Sequence, residues 1–190
     1  MHMSDLLALF KVGCALFGSR VHAVRADQWS LGTPCAEWDV ATLVDHVIDE
    51  HLWVPPLVGG HDLASAGGIV ESVKRTLGPD RVAAWDDAAL DSQRAFGEPG
   101  ALDRDVNLSR GPTPATEYIG EMIADLTIHG WDLGRAIGVG DPLPDDLVQF
   151  VRPLAERYGG AEPYFAPAVE PPDDATDEER MIALTGRQPR

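Results

Sequence analysis

The sequence predicts an all-α fold, a bundle of four to six helices, on three observations. Apolar residues recur at three- and four-residue intervals along most of the chain, as one face of a helix requires. Caps and stops punctuate these runs, while alternation of period two is scarce. The connections have lengths that join packed helices, not strands and crossovers. At 190 residues, with 44% hydrophobic and 24% charged content, one compact domain accounts for the chain. The expected division is a helical bundle over residues 1–165 and a C-terminal extension, residues 166–190, packed on the same domain.

The elements follow in order. Ser4 is placed to cap a first helix reaching about Val24, with Leu6, Leu7, Leu9, Phe10, Leu16 and Phe17 turned inward. Ser30-Leu31-Gly32-Thr33-Pro34-Cys35 reads as a connector, and Asp39 caps a second helix from Val40 to about Val54, where Pro55-Pro56 is expected to end it. Gly59, Gly60, Gly67 and Gly68 mark a loose surface passage. A third helix runs from Asp80 to Gly97 and carries Val82, Trp85, Leu90 and Phe96. Residues 98–112 are irregular, with a short extended piece around Val106 and Leu108. Thr113 and Pro114 open the most strongly patterned helix as cap and first-turn residue, and Gly138 stops it. A further helix spans Pro144 to Tyr158, and the tail holds a short amphipathic piece from Glu178 to Leu184.

Composition narrows the partners. Thirty-one acidic against fifteen basic residues give a formal charge of −16, which repels polyphosphate and anionic membrane surfaces. Nucleic acid and membrane are therefore not expected partners. The opening Met1-His2-Met3-Ser4 lacks the basic start, apolar run and cleavage site of a secretory signal, and no apolar stretch is expected to approach membrane-spanning length. Cys14 and Cys35 are too few for a disulfide framework and lack metal-knuckle spacing, so reduced thiols in a cytoplasmic protein are expected.

The chemistry concentrates in Asp125-Leu126-Thr127-Ile128-His129-Gly130-Trp131-Asp132. Residues four apart are offset by about 40° around a helix and residues seven apart by about 20°, so Asp125, His129 and Asp132 project together. Ile119, Met122, Ile123, Leu126 and Leu133 form the adjoining apolar stripe, which sets Asp125 and His129 at its border. That is how a helix offers two ligands to one metal ion. A partner must come from another helix, and the second helix supplies two histidines. Periodicity favours His51, which lies in the Val40, Val44, Val47, Val54 stripe, over His46, about 100° to one side. Spacing leaves the third ligand open.

Two motifs carry a resemblance that bears on this choice. Thr33-Pro34-Cys35-Ala36-Glu37-Trp38-Asp39-Val40 followed by Leu43-Val44-Asp45-His46-Val47, together with the Asp125–Leu133 segment, resembles the metal-binding proteins related to the N-terminal domain of mycothiol-dependent maleylpyruvate isomerase. That group belongs to the DinB-like bundle superfamily. The likeness extends to the tail, Val169-Glu170-Pro171-Pro172-Asp173 leading to Ala183-Leu184-Thr185-Gly186-Arg187. It implies a DinB-like four-helix bundle with additional short helices and a C-terminal extension. It also implies that His46, Asp125 and His129 bind a divalent metal, with His51 as the fallback. Where the isomerase has glutamate this chain has Asp125, one methylene shorter, so the isomerase's own reaction does not transfer.

Two imidazoles and a carboxylate suit Zn²⁺, and also admit Ni²⁺, Fe²⁺ or Mn²⁺. Three protein ligands leave a position for water or a thiol, as in catalytic zinc sites. The expected cofactor beside the metal is mycothiol or another low-molecular-weight thiol, and the expected activity is a thiol-dependent transferase or isomerase acting on a small electrophile. The alternative is a non-catalytic metal- or ligand-binding bundle acting as a homodimer. Asp132 either orients the His129 imidazole or pairs with Arg135 three residues on. Trp38, Trp53 and Trp131 read as packing residues, one of which could line a substrate pocket. Cys35, with no basic residue nearby in sequence, reads as a small buried side chain and not a nucleophile. Gly138-Val139-Gly140 follows a helix and reads as its stop, not a phosphate loop.

Overall fold

The computed structural model describes residues 2–36, 38–160 and 165–190. Glu37 of the first motif lies outside them, as do residues 161–164 beside the expected boundary at 165. The order is α1 (Met3–Ala23), α2 (Val40–Val58), α3 (Leu63–Lys74), α4 (Arg81–Gly97), β1 (Asp105–Leu108), β2 (Gly111–Pro114), α5 (Ala115–Ile137), α6 (Asp145–Tyr158) and α7 (Asp177–Leu184). The fold is all-α and DinB-like. Four helices close a ring in which α1 packs on α5 and α4, and α2 packs on α4 and α5. α3 leans on α2, while α6 bridges α5 and α7.

The inner faces explain the closure. Phe10, Phe17 and Val21 of α1, Leu43, Val44 and Val47 of α2, Trp85 and Phe96 of α4, and Ile119, Ile123 and Leu126 of α5 are all buried. Each such side chain contributes about 1.5–3 kcal/mol relative to exposure, so the ring stands on apolar burial. α1 is nevertheless 21 residues long and, by length and composition, apolar enough to cross a bilayer. This corrects the expectation that no stretch approaches that length; the helix sets Leu6, Phe10, Cys14, Phe17 and Val21 in the core.

Several boundaries differ from the sequence reading for identifiable reasons. α1 starts at Met3, not after Ser4, because the Asp5 carboxylate accepts the His2 N–H at 3.0 Å and Leu6 N–H bonds the His2 carbonyl. α2 continues through Pro55-Pro56 to Val58, since both prolines fall in its last turn, where their fixed φ suits the helix and few bonds are forfeited. Their carbonyls accept Gly59 and His61 N–H groups at 2.9 and 3.1 Å. The glycine passage contains α3, capped by Asp62 through Ser65 N–H at 2.8 Å. Gly67 lies there because a Cβ would come within 3.2 Å of the Trp53 ring. The extended piece at Val106 is half of an antiparallel hairpin, in which Val106 faces Thr113. Thr113 is thus a strand residue, and Pro114 is the cap position of α5. Leu90, expected inward, is 47% exposed; Ala88, Ala89 and Ser92 take the buried positions.

Candidate metal centre

α2 and α5 bring His46, Asp125 and His129 to one point. Their potential ligand atoms all lie within 4.8 Å of one another. Both Nε2 atoms face the same oxygen: Asp125 Oδ1 is 3.3 Å from His129 and 3.7 Å from His46. The rings meet edge to face, with centroids 5.3 Å apart. At 3.7 Å the His46 contact is too long for a good hydrogen bond. Metal–ligand bonds of about 2.0–2.2 Å in a tetrahedron put neighbouring ligand atoms roughly 3.3–3.5 Å apart. The His129 distance matches that spacing and the His46 distance is slightly longer, so a small inward movement of His46 would complete a divalent-ion site. Asp125 Oδ2 is buried and has no hydrogen-bond partner among the described residues, as a carboxylate held for an ion would.

Charge is concentrated here. Burial by itself would raise the Asp125 carboxyl, but His129 and His46 overcome it and hold the group well below the usual carboxylate range. Burial equally opposes a charged His129, yet Asp125 and Asp132 prevail and raise the ring to about 9. Nδ1–H of His129 donates to Asp132 Oδ2 at 3.1 Å, which leaves Nε2 for an ion.

Asp132 is fully buried, and its partner is Arg187. Arg187 Nε donates to Oδ1 at 3.0 Å and Nη2 to Oδ2 at 2.9 Å, a two-pronged grip from the C-terminal segment. Arg187 Nη1 is in turn anchored on the Thr185 carbonyl at 3.0 Å. The Arg135 alternative is corrected: Arg135 is exposed, and its guanidinium lies over the Trp131 ring at 5.6 Å. The fallback is corrected too. His51 points into the core, where Nδ1 contacts Ser92 Oγ at 2.7 Å and the ring stacks on Phe10. Burial lowers it to about 4, so it is a neutral core residue.

The connector before α2 roofs the site. Thr33 N–H donates to the Trp38 carbonyl at 3.0 Å, and Asp39 caps α2 through Thr42 N–H at 2.8 Å. Trp38 is thereby held against both imidazoles, at 4.7 Å from His46 and 5.5 Å from His129. Cys35, in the same connector, lies beside His129 and Asp132. Its thiol is pushed up by burial, and Arg187 acts against that shift, so a basic neighbour exists that local sequence does not reveal. Cys35, His129 and Asp132 form a second cluster with ligand-like spacing. Asp132 is already committed to Arg187 and Nδ1, which leaves the His46 cluster the better cation site. Both cysteines are free thiols.

Three contributors were missed by sequence reasoning. The sequence does not single Trp38 out from Trp53 and Trp131 as the tryptophan that lines the site, and Arg187 lies 55 residues from its carboxylate. Glu50 stands four residues after His46, and the rule that paired Asp125 with His129 could have found it. Burial first, then the Asp125 charge, raises its carboxyl.

The family model for the mycothiol maleylpyruvate isomerase N-terminal domain matches residues 11–134, about two thirds of the chain. The protein belongs to this family. Uncharacterised proteins of two Mycobacterium tuberculosis strains, CDC 1551 / Oshkosh and ATCC 25618 / H37Rv, are each 30% identical to this family member over 183 residues, covering 92% of this chain and 93% of theirs. The fold is shared with a crystal structure of mycothiol-dependent maleylpyruvate isomerase, at TM-score 0.64 and 16% identity over 84% of this chain and 72% of that one. A histidine-to-alanine mutant of mycothiol-dependent maleylpyruvate isomerase aligns at TM-score 0.63 and 15% identity over the same shares.

Proposed function

We propose that this member of the mycothiol maleylpyruvate isomerase N-terminal domain family is a divalent-metal-dependent enzyme that uses a small thiol, of the mycothiol type, to modify or isomerise a small electrophile. The reading rests on one observation: two Nε2 atoms converge on one carboxylate oxygen, at 3.3 and 3.7 Å. His46, Asp125 and His129 are the residues that would hold the ion, with zinc the best match to the donor set. A bound divalent ion lowers the pKa of a thiol or water that joins it, supplying a nucleophile at neutral pH.

The remaining residues position the ligands. Asp132 keeps the His129 proton on Nδ1, and Arg187 keeps Asp132 charged in a buried setting. Trp38 packs against the two rings and fixes their orientation on that side. The family supports thiol use, because its relatives of known name depend on mycothiol. The test is titration of metal-loaded and metal-free protein with mycothiol, followed by calorimetry. Thiol binding confined to the loaded protein is expected; equal binding by both forms contradicts the proposal.

A further inference from the structure

Three protein ligands leave a tetrahedral ion short of one partner, and the chain carries a sulfur close by. Cys35 Sγ, a ring nitrogen of His129 and a carboxylate oxygen of Asp132 lie within 4.8 Å of one another. The backbone that carries this thiol is fixed on both sides. Cys35 N–H donates to Thr33 Oγ1 at 3.2 Å, and the Cys35 carbonyl accepts the Trp38 N–H at 3.1 Å. Cys35 and Trp38 therefore share one tight turn, and Trp38 already lies against both imidazoles. The other cysteine, Cys14, is buried in the apolar core, where burial pushes its thiol up to about 12.

Charge and reach both favour sulfur at the ion. A divalent ion held by two neutral imidazoles and one carboxylate keeps one net positive charge in a largely buried place, and a thiolate cancels it. Asp132 does not serve that purpose, because Arg187 already neutralises it. The Cys35 sulfur stands outside the group formed by His46, Asp125 and His129, so it must turn to join them. Around zinc, bonds of about 2.0–2.1 Å to nitrogen and 2.3 Å to sulfur set the two atoms roughly 3.6 Å apart in a tetrahedron. One step between staggered rotamers swings a cysteine sulfur by roughly 3 Å, a movement of the size required.

We propose that Cys35 is a fourth, displaceable ligand of the ion held by His46, Asp125 and His129, occupying the open position until an incoming small thiol takes it. The exchange balances: the incoming thiol hands its proton to the Cys35 sulfur, one metal–sulfur bond breaks, another forms, and nothing is oxidised. A position held by sulfur at rest is closed to water, which turns the site towards thiol chemistry and away from hydrolysis. The inference rests on the metal and thiol reading above and adds the resting state of its open position.

The experiment loads the full chain with Co²⁺ in thiol-free buffer and follows the sulfur-to-cobalt absorption band. Wild type and Cys14→Ser are expected to show the band with no thiol added. Cys35→Ser is expected to lose it entirely while still holding cobalt on the other three ligands, with an affinity at least about tenfold weaker by chelator competition. 2-Mercaptoethanol added to Cys35→Ser is expected to restore a band, now from the added sulfur. No band in thiol-free wild type, or a band that persists in Cys35→Ser, overturns the proposal; a band that 2-mercaptoethanol then brings to Cys35→Ser leaves the thiol reading standing. A band lost with Cys35 and not restored by 2-mercaptoethanol overturns the displacement together with the thiol reading, and leaves Cys35 a permanent ligand. A wild-type chain that takes up no cobalt overturns both.

Discussion

Arg187 and Asp132 connect the chain's last residues to the metal site, and they show how one side chain can act through another. Arg187→Met leaves a fully buried carboxylate with only His129 to balance it, and is expected to cost about 3–5 kcal/mol in denaturant unfolding. Metal affinity, measured by chelator competition, is expected to fall about 10–100-fold because His129 loses its orientation. Restored affinity in the Asp132→Leu, Arg187→Met double variant would contradict that route, since packing recovers there while the imidazole stays unanchored. His51→Leu is expected to keep the metal, because His51 meets Ser92 and Phe10 and not the site. Residues 125 and 129 were legible because i, i+4 spacing is a local property of a helix. The choice between His46 and His51 was not legible in the periodicity, which favoured His51; the family resemblance pointed to His46, and the packing of α5 against one side of α2 brings His46 to Asp125 and His129. Arg187 was illegible in its role because its partner is distant in sequence, although its motif was visible.

At the level of elements, α5 carries both the ligands and the close approach of its neighbours. A Cβ on Gly134 would meet Arg20 Cζ at 3.0 Å and the Val139 carbonyl at 3.1 Å. Gly134→Ala is therefore expected to destabilise the protein by about 1–3 kcal/mol, although alanine favours a helix by about 1 kcal/mol. A stabilised variant in thermal unfolding would mean that Arg20 moves aside without cost. The same physics explains what the sequence hid. Glycine in α3 makes room for Trp53 and does not mark a loop, and Pro55-Pro56 occupies the end of a helix that outlasts it. Glycine and proline are local signals with two readings, and tertiary contact selects between them. The amphipathic stripes of α1, α2 and α5 had one reading, which is why the bundle itself was legible.

Across the whole molecule, protons and metal compete for the same ring. The His129 pKa is raised above its ordinary value, so in metal-free protein its contribution is fully present below about pH 6.5 and disappears as pH rises through about 9. Asp125 and Asp132 are held low, so theirs is present above about pH 4 and lost on acidification. Metal-free protein is therefore expected to lose thermal stability between pH 7 and pH 10, by about 3 kcal/mol at most. Metal binding displaces that proton, so apparent affinity is expected to rise about tenfold per pH unit up to about pH 9, followed by chelator competition. A flat affinity profile would mean that His129 is not a ligand. Removing the ion is expected to lower Tm without unfolding the chain, because the core of α1, α2, α4 and α5 is apolar. The central claim is tested most directly by metal analysis of purified wild-type, His46→Ala, His129→Ala and His51→Leu proteins. The account predicts close to one divalent ion per chain in wild type and His51→Leu, and none in the other two. Retention of the ion by both His46→Ala and His129→Ala would contradict it.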